Sequence, residues 1–315
     1  MTNNEMEYLE NTNCNLCGYD DYEVIYTSEK NNSKPGKLNQ VVVPHTYLCT
    51  DLNRDFGKIV RCRRCGLIYT NPRLKSEIAK QLYINSVDDK YIQEKEERIK
   101  SFERVARKCE KITNGGNVLD IGCFCGYFLK ALSNNKWRCF GVELSKWGCN
   151  YIKKNFGLEI FNGNLFQANY PDKYFDLITM WDVLEHLYNP KETFSEINRI
   201  LQDNGILCFV VPNINSLMAR IFRSKWWSLI QPHVYYFTPH TIKEMLHKTG
   251  FRIIKTDTYG RNFTFSYWTT RIEPYSKIIH NFVNKLINAL NIDKISLNVD
   301  LGDQMKIFAK KLFSK

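Results

Sequence analysis

Residues 118–128 run VLDIGCFCGYF. An apolar stretch closes on Asp120, and Gly122 and Gly126 then bracket a tight turn into residues of helical period. Glycine at a strand exit lets the backbone approach a ligand that any Cβ would repel. Twenty-three residues past Asp120, a second apolar run ends at Glu143 within FGVELS. A carboxylate there can accept both hydroxyl protons of a ribose. A glycine loop alone is a weak signal; strand, glycine loop, helix, strand and acid in this spacing form a much more specific one.

Outward from that stretch, strands and helices alternate, which predicts an α/β, Rossmann-like, doubly wound parallel sheet of about seven strands. Strands are expected at 117–121, 138–142, 158–161, 175–180, 206–211, 251–256 and 305–309. Helices are expected at 127–132, 146–156, 191–201 and 241–248. Residues 76–112 read as a helical linker, with Ile92, Ile99, Phe102, Val105 and Ala106 on one stripe before Asn114-Gly115-Gly116 breaks the period. The main domain then covers 113–315, with segments near 213–237 and 260–298 as caps on the acceptor side. Within the latter, 273–290 is amphipathic, with Ile279, Phe282, Val283, Leu286 and Leu290 at helical spacing, as for a core helix or a homodimer face.

Residues 1–75 carry a different pattern. Cys14 and Cys17 in CNLCG, and Cys62 and Cys65 in CRRCG, form two CxxC pairs, each followed directly by Gly. Four thiolates around a tetrahedral d¹⁰ ion make a closed structural zinc site, so this part reads as a zinc-ribbon module. The 44 residues between the pairs exceed what a ribbon needs, and the polar NNSKPGKLN at 31–39 marks an inserted loop. The other seven cysteines, at 49, 109, 123, 125, 139, 149 and 208, are scattered and read as small hydrophobes.

The chain has 315 residues, 43% hydrophobic and 24% charged, which excludes a wholly disordered protein. The longest apolar run, ILCFVV at 206–211, is far short of a membrane span. The first residues, MTNNEMEYLE, are polar and acidic and do not read as a signal peptide, so the expected location is cytoplasmic. Lys and Arg number 44 against 33 Asp and Glu, a formal charge of +11. Ten of those bases lie between Lys30 and Lys75, against only Asp51 and Asp55. Such a lobe suits nucleic acid, an anionic lipid surface or a phosphorylated small molecule, or is simply a solvated face.

The 118–128 stretch, together with YFDLITMWDVLEHL at 174–187 and LCFVVPN at 207–213, resembles the class I S-adenosylmethionine-dependent methyltransferases. PHVYYFT at 232–238, followed by TIKEMLHKTGF, is similar to the subgroup that methylates sugars and other small metabolites. Some of its members carry an N-terminal zinc ribbon ending in a segment like CRRCGLIYTNPR, which stands here at 62–73. The resemblance implies S-adenosylmethionine as cofactor, with Asp120, Gly122 and Gly126 at its methionine and ribose end. It implies Glu143 on the ribose diol and Leu144 against adenine. It implies Asn164 and Leu165 beside the adenine amine, where relatives carry an acid, and Trp181 and Asp182 bordering the methionine. In the loop, Phe124 stands where relatives usually have Gly, which fits only if the backbone there avoids positive φ.

Methyl transfer from a sulfonium is an in-line displacement that needs alignment above all. For a hydroxyl acceptor a base near neutral pKa helps, and His suits the task. His186 in DVLEHL and His233 in QPHVYYF stand in motif context, with His233 the preferred base; both residue types also serve structurally in cores. His45, His240, His247 and His280 have no such context. The segment 213–229, NINSLMARIFRSKWWSL, reads as a cap packed on the sheet, its Arg220, Arg223 and Lys225 suited to a phosphate or nucleotide-linked acceptor, or else as a peripheral membrane contact. The expected activity is O-directed methyl transfer to a sugar, nucleotide sugar or related metabolite. Two alternatives stand beside it: an RNA methyltransferase gripping phosphates with the basic zinc module, and a non-catalytic zinc-ribbon scaffold.

Overall fold

The computed structural model describes residues 8–27, 47, 56–84, 87–132, 136–273 and 275–312. The inserted loop at 31–39 and Cys49 lie outside the described residues. Five strands come first: β1 (Leu9–Glu10), β2 (Tyr22–Thr27), β3 (Lys58–Cys62), β4 (Ile68–Thr70) and β5 (Arg73–Leu74). Three helices follow, α1 (Ser76–Ile84), α2 (Asp89–Gln93) and α3 (Lys95–Ile112). The alternating part runs β6 (Gly116–Ile121), α4 (Tyr127–Ala131), β7 (Trp137–Glu143), α5 (Lys146–Phe156), β8 (Phe161–Asn162), β9 (Phe175–Trp181), α6 (Pro190–Ile200) and β10 (Leu201–Pro212). Then come α7 (Leu217–Phe222), β11 (Tyr235–Tyr236), α8 (Pro239–Lys248) and β12 (Phe251–Thr258). The chain ends with β13 (Arg261–Thr264), α9 (Phe265–Thr270), α10 (Lys277–Ala289), β14 (Ser296–Val299) and β15 (Gln304–Lys311).

The main sheet has seven strands in the order β12-β15-β10-β9-β6-β7-β8. Side chains alternate across a strand, and β10 shows what that does. Leu207, Phe209 and Val211 join the cluster under α6 and α8, with Phe194, Ile197, Ile242 and Met245. Ile206, Cys208 and Val210 join the opposite cluster under α3 and α4, with Val105, Ala106, Phe128 and Leu129. A strand covered on both faces reads as a continuous apolar run, which is what ILCFVV is. The helix α3 is thus one of the layers on the sheet. Among the described residues, no helix is long and apolar enough to cross a membrane.

The sheet departs from the all-parallel expectation in its last strand, since β15 runs antiparallel to both β10 and β12. The reason lies in the connection. The chain leaves β12 at its carboxyl end, makes β13, α9, α10 and β14, and re-enters at Gln304 opposite Pro212. Both ends of the excursion lie at the same edge, so the returning strand must run downward. The third strand is also displaced from its expected 158–161: only Phe161 and Asn162 pair, with Val142 and Glu143. Leu158 and Ile160 instead pack on the core.

The cysteine-bearing strands form a second sheet, ordered β11-β4-β3-β2. Its outer strand β11 comes from PHVYYFT, more than 160 positions downstream, through Tyr235↔Tyr69 and Tyr236↔Ile68. The segment 213–237, read from sequence as an acceptor-side cap, packs here: Ala219, Trp226, Leu229 and Tyr236 meet Phe56, Ile59 and Ile68. Leu16, Val60, Leu67 and Tyr69 also join the core beneath α6 and α8, so the two sheets share one hydrophobic interior.

Candidate active site

Parallel strands in register bring their carboxyl ends to one edge, where open α/β sheets bind ligands. Ile121 stands beside Val142 on one side and Met180 on the other, and Glu143 stands beside Asn162. The loops after β6, β7, β8 and β9 therefore meet, and with them Asp120, Gly122, Gly126, Glu143, Leu144, Asn164, Leu165, Trp181 and Asp182.

The glycine loop closes tightly. Gly122 and Gly126 hold φ of +67° and +70°, and a Cβ on them would come within 2.7 Å of Val183 and 2.8 Å of Ile152. Phe124 also takes a positive φ, +42°, against the condition set from its sequence. An aromatic cage holds it there: its ring is buried among Tyr91 at 4.8 Å and Trp147 at 5.9 Å. Its amide donates to Glu143 Oε2 at 2.8 Å, a bond that fixes the loop to the second strand.

Glu143 is 1% exposed. Its Oε1 accepts from the Ser145 amide at 2.7 Å, and its Oε2 accepts, besides Phe124, from the Tyr83 hydroxyl at 3.3 Å. Burial pushes its pKa up, while the amides of Ser145 and Phe124 favour the charged form. Gly148 in α5 permits this closeness, because a Cβ there would meet the Phe124 carbonyl at 2.7 Å. Asp120, also buried, accepts from Thr179 Oγ1 at 2.7 Å, and burial raises its pKa to about 8. Thr179 is its register partner on β9, so this bond ties the ends of the two strands together. Asn164 turns inward on its own segment: its Oδ1 accepts from the Gln167 amide at 2.9 Å. Leu165 is buried and Leu144 half-buried.

Beyond β9 a cleft opens between α3, β9 and β13, lined by Tyr91, Phe102, Trp181, Asp182, Arg261 and Phe263 among others. Asp182 has φ +55° and takes both carboxylate oxygens to Arg261 Nη2, at 2.5 and 2.7 Å. That pair ties the end of β9 to the excursion that returns through β15.

His186 sits in a 3-10 turn, Leu184–His186, directly after this point. His233 precedes β11 and is 7% exposed. Their rings lie 4.7 Å apart, so the two sequence candidates come together although 46 positions separate the segments. Burial lowers the pKa of both, further for His233, which also feels His186. Between them stands a residue not singled out from sequence, Glu185, with its Oε1 3.9 Å from His233 Nε2. Burial and the Asp182 charge push its pKa well above the usual carboxylate range. Its signal was its place inside DVLEHL; Arg261 and Tyr83 carried none.

The four cysteines converge as well. Cys14 Sγ lies 3.3 Å from Cys65 Sγ, Cys17 Sγ lies 3.5 Å from Cys62 Sγ, and all four lie within 4.8 Å of one another. Gly18 and Gly66, at φ +78° and +76°, close both turns by bonding back to Cys14 and Cys62. Tetrahedral zinc with bonds of about 2.3 Å places sulfurs about 3.8 Å apart, a spacing this cluster fits.

Comparison with known proteins places these features. A Mycolicibacterium smegmatis protein named a probable S-adenosylmethionine-dependent methyltransferase is 26% identical over 113 residues, 36% of this chain and 42% of its own length. A ubiquinone biosynthesis O-methyltransferase of Thiobacillus denitrificans is 25% identical over 109 residues, 32% of this chain and 47% of its own. The chain thus spans less than half the length of either relative. Among solved structures, a methyltransferase complex with the Haloferax volcanii Trm112 methyltransferase activator matches the fold with TM-score 0.50 and 16% identity, over 70% of this chain and 92% of that one. Residues 92–256 match the family described as methyltransferase domain, and with more than half of its length inside that match the chain belongs to this family.

Proposed function

We propose that this protein transfers a methyl group from S-adenosylmethionine to a hydroxyl of a small acceptor, a sugar, nucleotide sugar or related metabolite. The observation that carries the reading is Glu143, a buried carboxylate at the end of β7 against a left-handed glycine loop. A carboxylate offers about four lone-pair positions, and its amide donors leave room for a diol once the long Tyr83 bond is replaced. Leu144 and Leu165 lie at the adenine end, and Trp181 and Asp182 at the methionine end. Bound there, the cofactor supplies an electrophilic methyl on a positively charged sulfur. The aromatic rings around the cleft suit such a cation.

Direction toward oxygen is supported by the paired histidines, whose rings burial holds in the neutral form in which an imidazole nitrogen can accept a hydrogen bond from a hydroxyl. His233 is the base in this reading and His186 its neighbour. Likeness to a ubiquinone biosynthesis O-methyltransferase agrees with it. Arg220, Arg223 and Lys225 lie on the segment packed against the ribbon; the basic groups lining the cleft are Arg98 and Arg261. They suit an anionic acceptor such as a phosphorylated or nucleotide-linked sugar. Cys14, Cys17, Cys62 and Cys65 hold a structural zinc ion in this proposal.

Calorimetric titration of the zinc-replete protein with S-adenosylmethionine tests the carrying observation. Micromolar binding is expected, weakened more than tenfold in Glu143→Ala, where a charged hydrogen-bond acceptor is lost. Equal affinity in the two proteins overturns the ribose assignment.

A further inference from the structure

Glu185, His186 and His233 each bring one ligand-type atom to within 4.8 Å of the other two. Both imidazoles are oriented from behind. His186 Nδ1 lies 3.0 Å from the Pro232 carbonyl oxygen, and His233 Nδ1 lies 2.8 Å from that of Ser228. A carbonyl only accepts, so each Nδ1 carries the hydrogen and each Nε2 is a bare lone pair. Glu185 is 1% exposed, and neither of its carboxylate oxygens has a hydrogen-bond partner. A proton shared between Glu185 and His233 would draw them to hydrogen-bond distance, but they stand 3.9 Å apart. The nearby charges, Asp182 and Arg261, are committed to each other. The result is two bare imidazole lone pairs facing an unpartnered carboxyl group, with Glu185 and His233 buried and His186 half-buried.

We propose that Glu185, His186 Nε2 and His233 Nε2 form a binding site for a divalent first-row metal ion. Two imidazoles and one carboxylate suit Mn²⁺, Fe²⁺, Co²⁺ or Zn²⁺, while thiolate-preferring and all-oxygen cations are disfavoured. Backbone carbonyls behind the rings are the usual outer shell of metal-bound histidines. Bonds of about 2.1 Å would draw the three ligand atoms to about 3 to 3.5 Å apart, closer than the 3.9 Å that now separates Glu185 Oε1 from His233 Nε2. Three protein ligands leave positions open for an oxygen of a second molecule.

What such an ion does rests on the methyl-transfer reading; its binding does not. Coordinated to it, an acceptor hydroxyl becomes more acidic. The O–H proton then leaves to water, the oxygen takes the methyl as the sulfur–methyl bond breaks, and the thioether departs neutral. In this form of the reaction His233 is a ligand and the base is dispensable.

The test uses the full-length protein with zinc in its cysteine site, titrated with Co²⁺ and followed by metal analysis and visible absorption. One cobalt per chain is expected, with ligand-field bands and no thiolate charge-transfer band. Glu185→Gln and His233→Asn should weaken it at least tenfold while the zinc stays in place. X-ray absorption at the cobalt edge of the unmodified protein should show scattering from two imidazoles. Wild-type protein that takes up no cobalt at millimolar concentration overturns the site, as does cobalt without imidazole scattering or undiminished binding in both variants. Failure of S-adenosylmethionine to bind, with cobalt still bound, would sink the methyl-transfer reading and leave the metal site standing.

Discussion

Phe124 shows how a single side chain can hold its own backbone in an unfavourable region. A left-handed conformation costs a residue with a Cβ about 1 kcal/mol or more relative to Gly, and the buried ring among Tyr91, Tyr127 and Trp147 outweighs it. Two substitutions separate these terms. Phe124→Ala loses the ring and keeps the strain, so about 3 to 5 kcal/mol of stability should go. Phe124→Gly loses the ring and sheds the strain, so it should be about 1 kcal/mol more stable than the alanine variant in urea unfolding. The reverse order would place φ on the negative side. From sequence, Phe124 was visible as an anomaly, but two of the rings that trap it, Tyr91 and Trp147, come from α2 and α5 and have no local mark. Glu185 was hidden for a related reason. An acid next to His in a turn reads as solvated until a segment 46 positions later lies over it.

Periodicity made most elements legible. The run from 146 to 156 is a helix with the expected bounds, because Ser145 caps it at Gly148 and Gly157 ends it in the left-handed region. The short edge strand β8 was misplaced, since its apolar neighbours Leu158 and Ile160 serve packing instead of pairing. The helix α10 gives a cleaner contrast between cap and face. Ser276 accepts from the Ile279 amide, whereas Phe282 is 68% exposed and Ile278 83%. Ser276→Ala should therefore cost about 1 kcal/mol in thermal unfolding. Phe282→Glu should stay within about 0.5 kcal/mol, although it looks the more drastic change.

At the scale of the molecule, the cysteine-bearing sheet and the main sheet share one hydrophobic interior, and the joint between them is also where His233 sits. Thr70 donates its amide to the Val234 carbonyl and its hydroxyl to that of His233 at 3.1 Å. With zinc at the cysteines, as proposed, its removal should be felt at β11. Hydrogen exchange after chelation is expected to speed up in residues 58–70 and 234–237 while β6 and β7 stay protected. Protection unchanged at 234–237 would mean that β11 holds without support from the cysteine cluster. None of this could be read from the cysteine spacing, which announces the cluster and says nothing of a strand borrowed from the far end of the chain.

That borrowed strand sets an order of events at the ribosome. The two CxxC turns emerge early, yet the edge of their sheet stays open until a segment some 163 residues later has been made. At about 5 to 20 residues per second, the interval is roughly ten to thirty seconds, during which the nascent cysteine-bearing sheet presents the open outer edge of β4 to its surroundings.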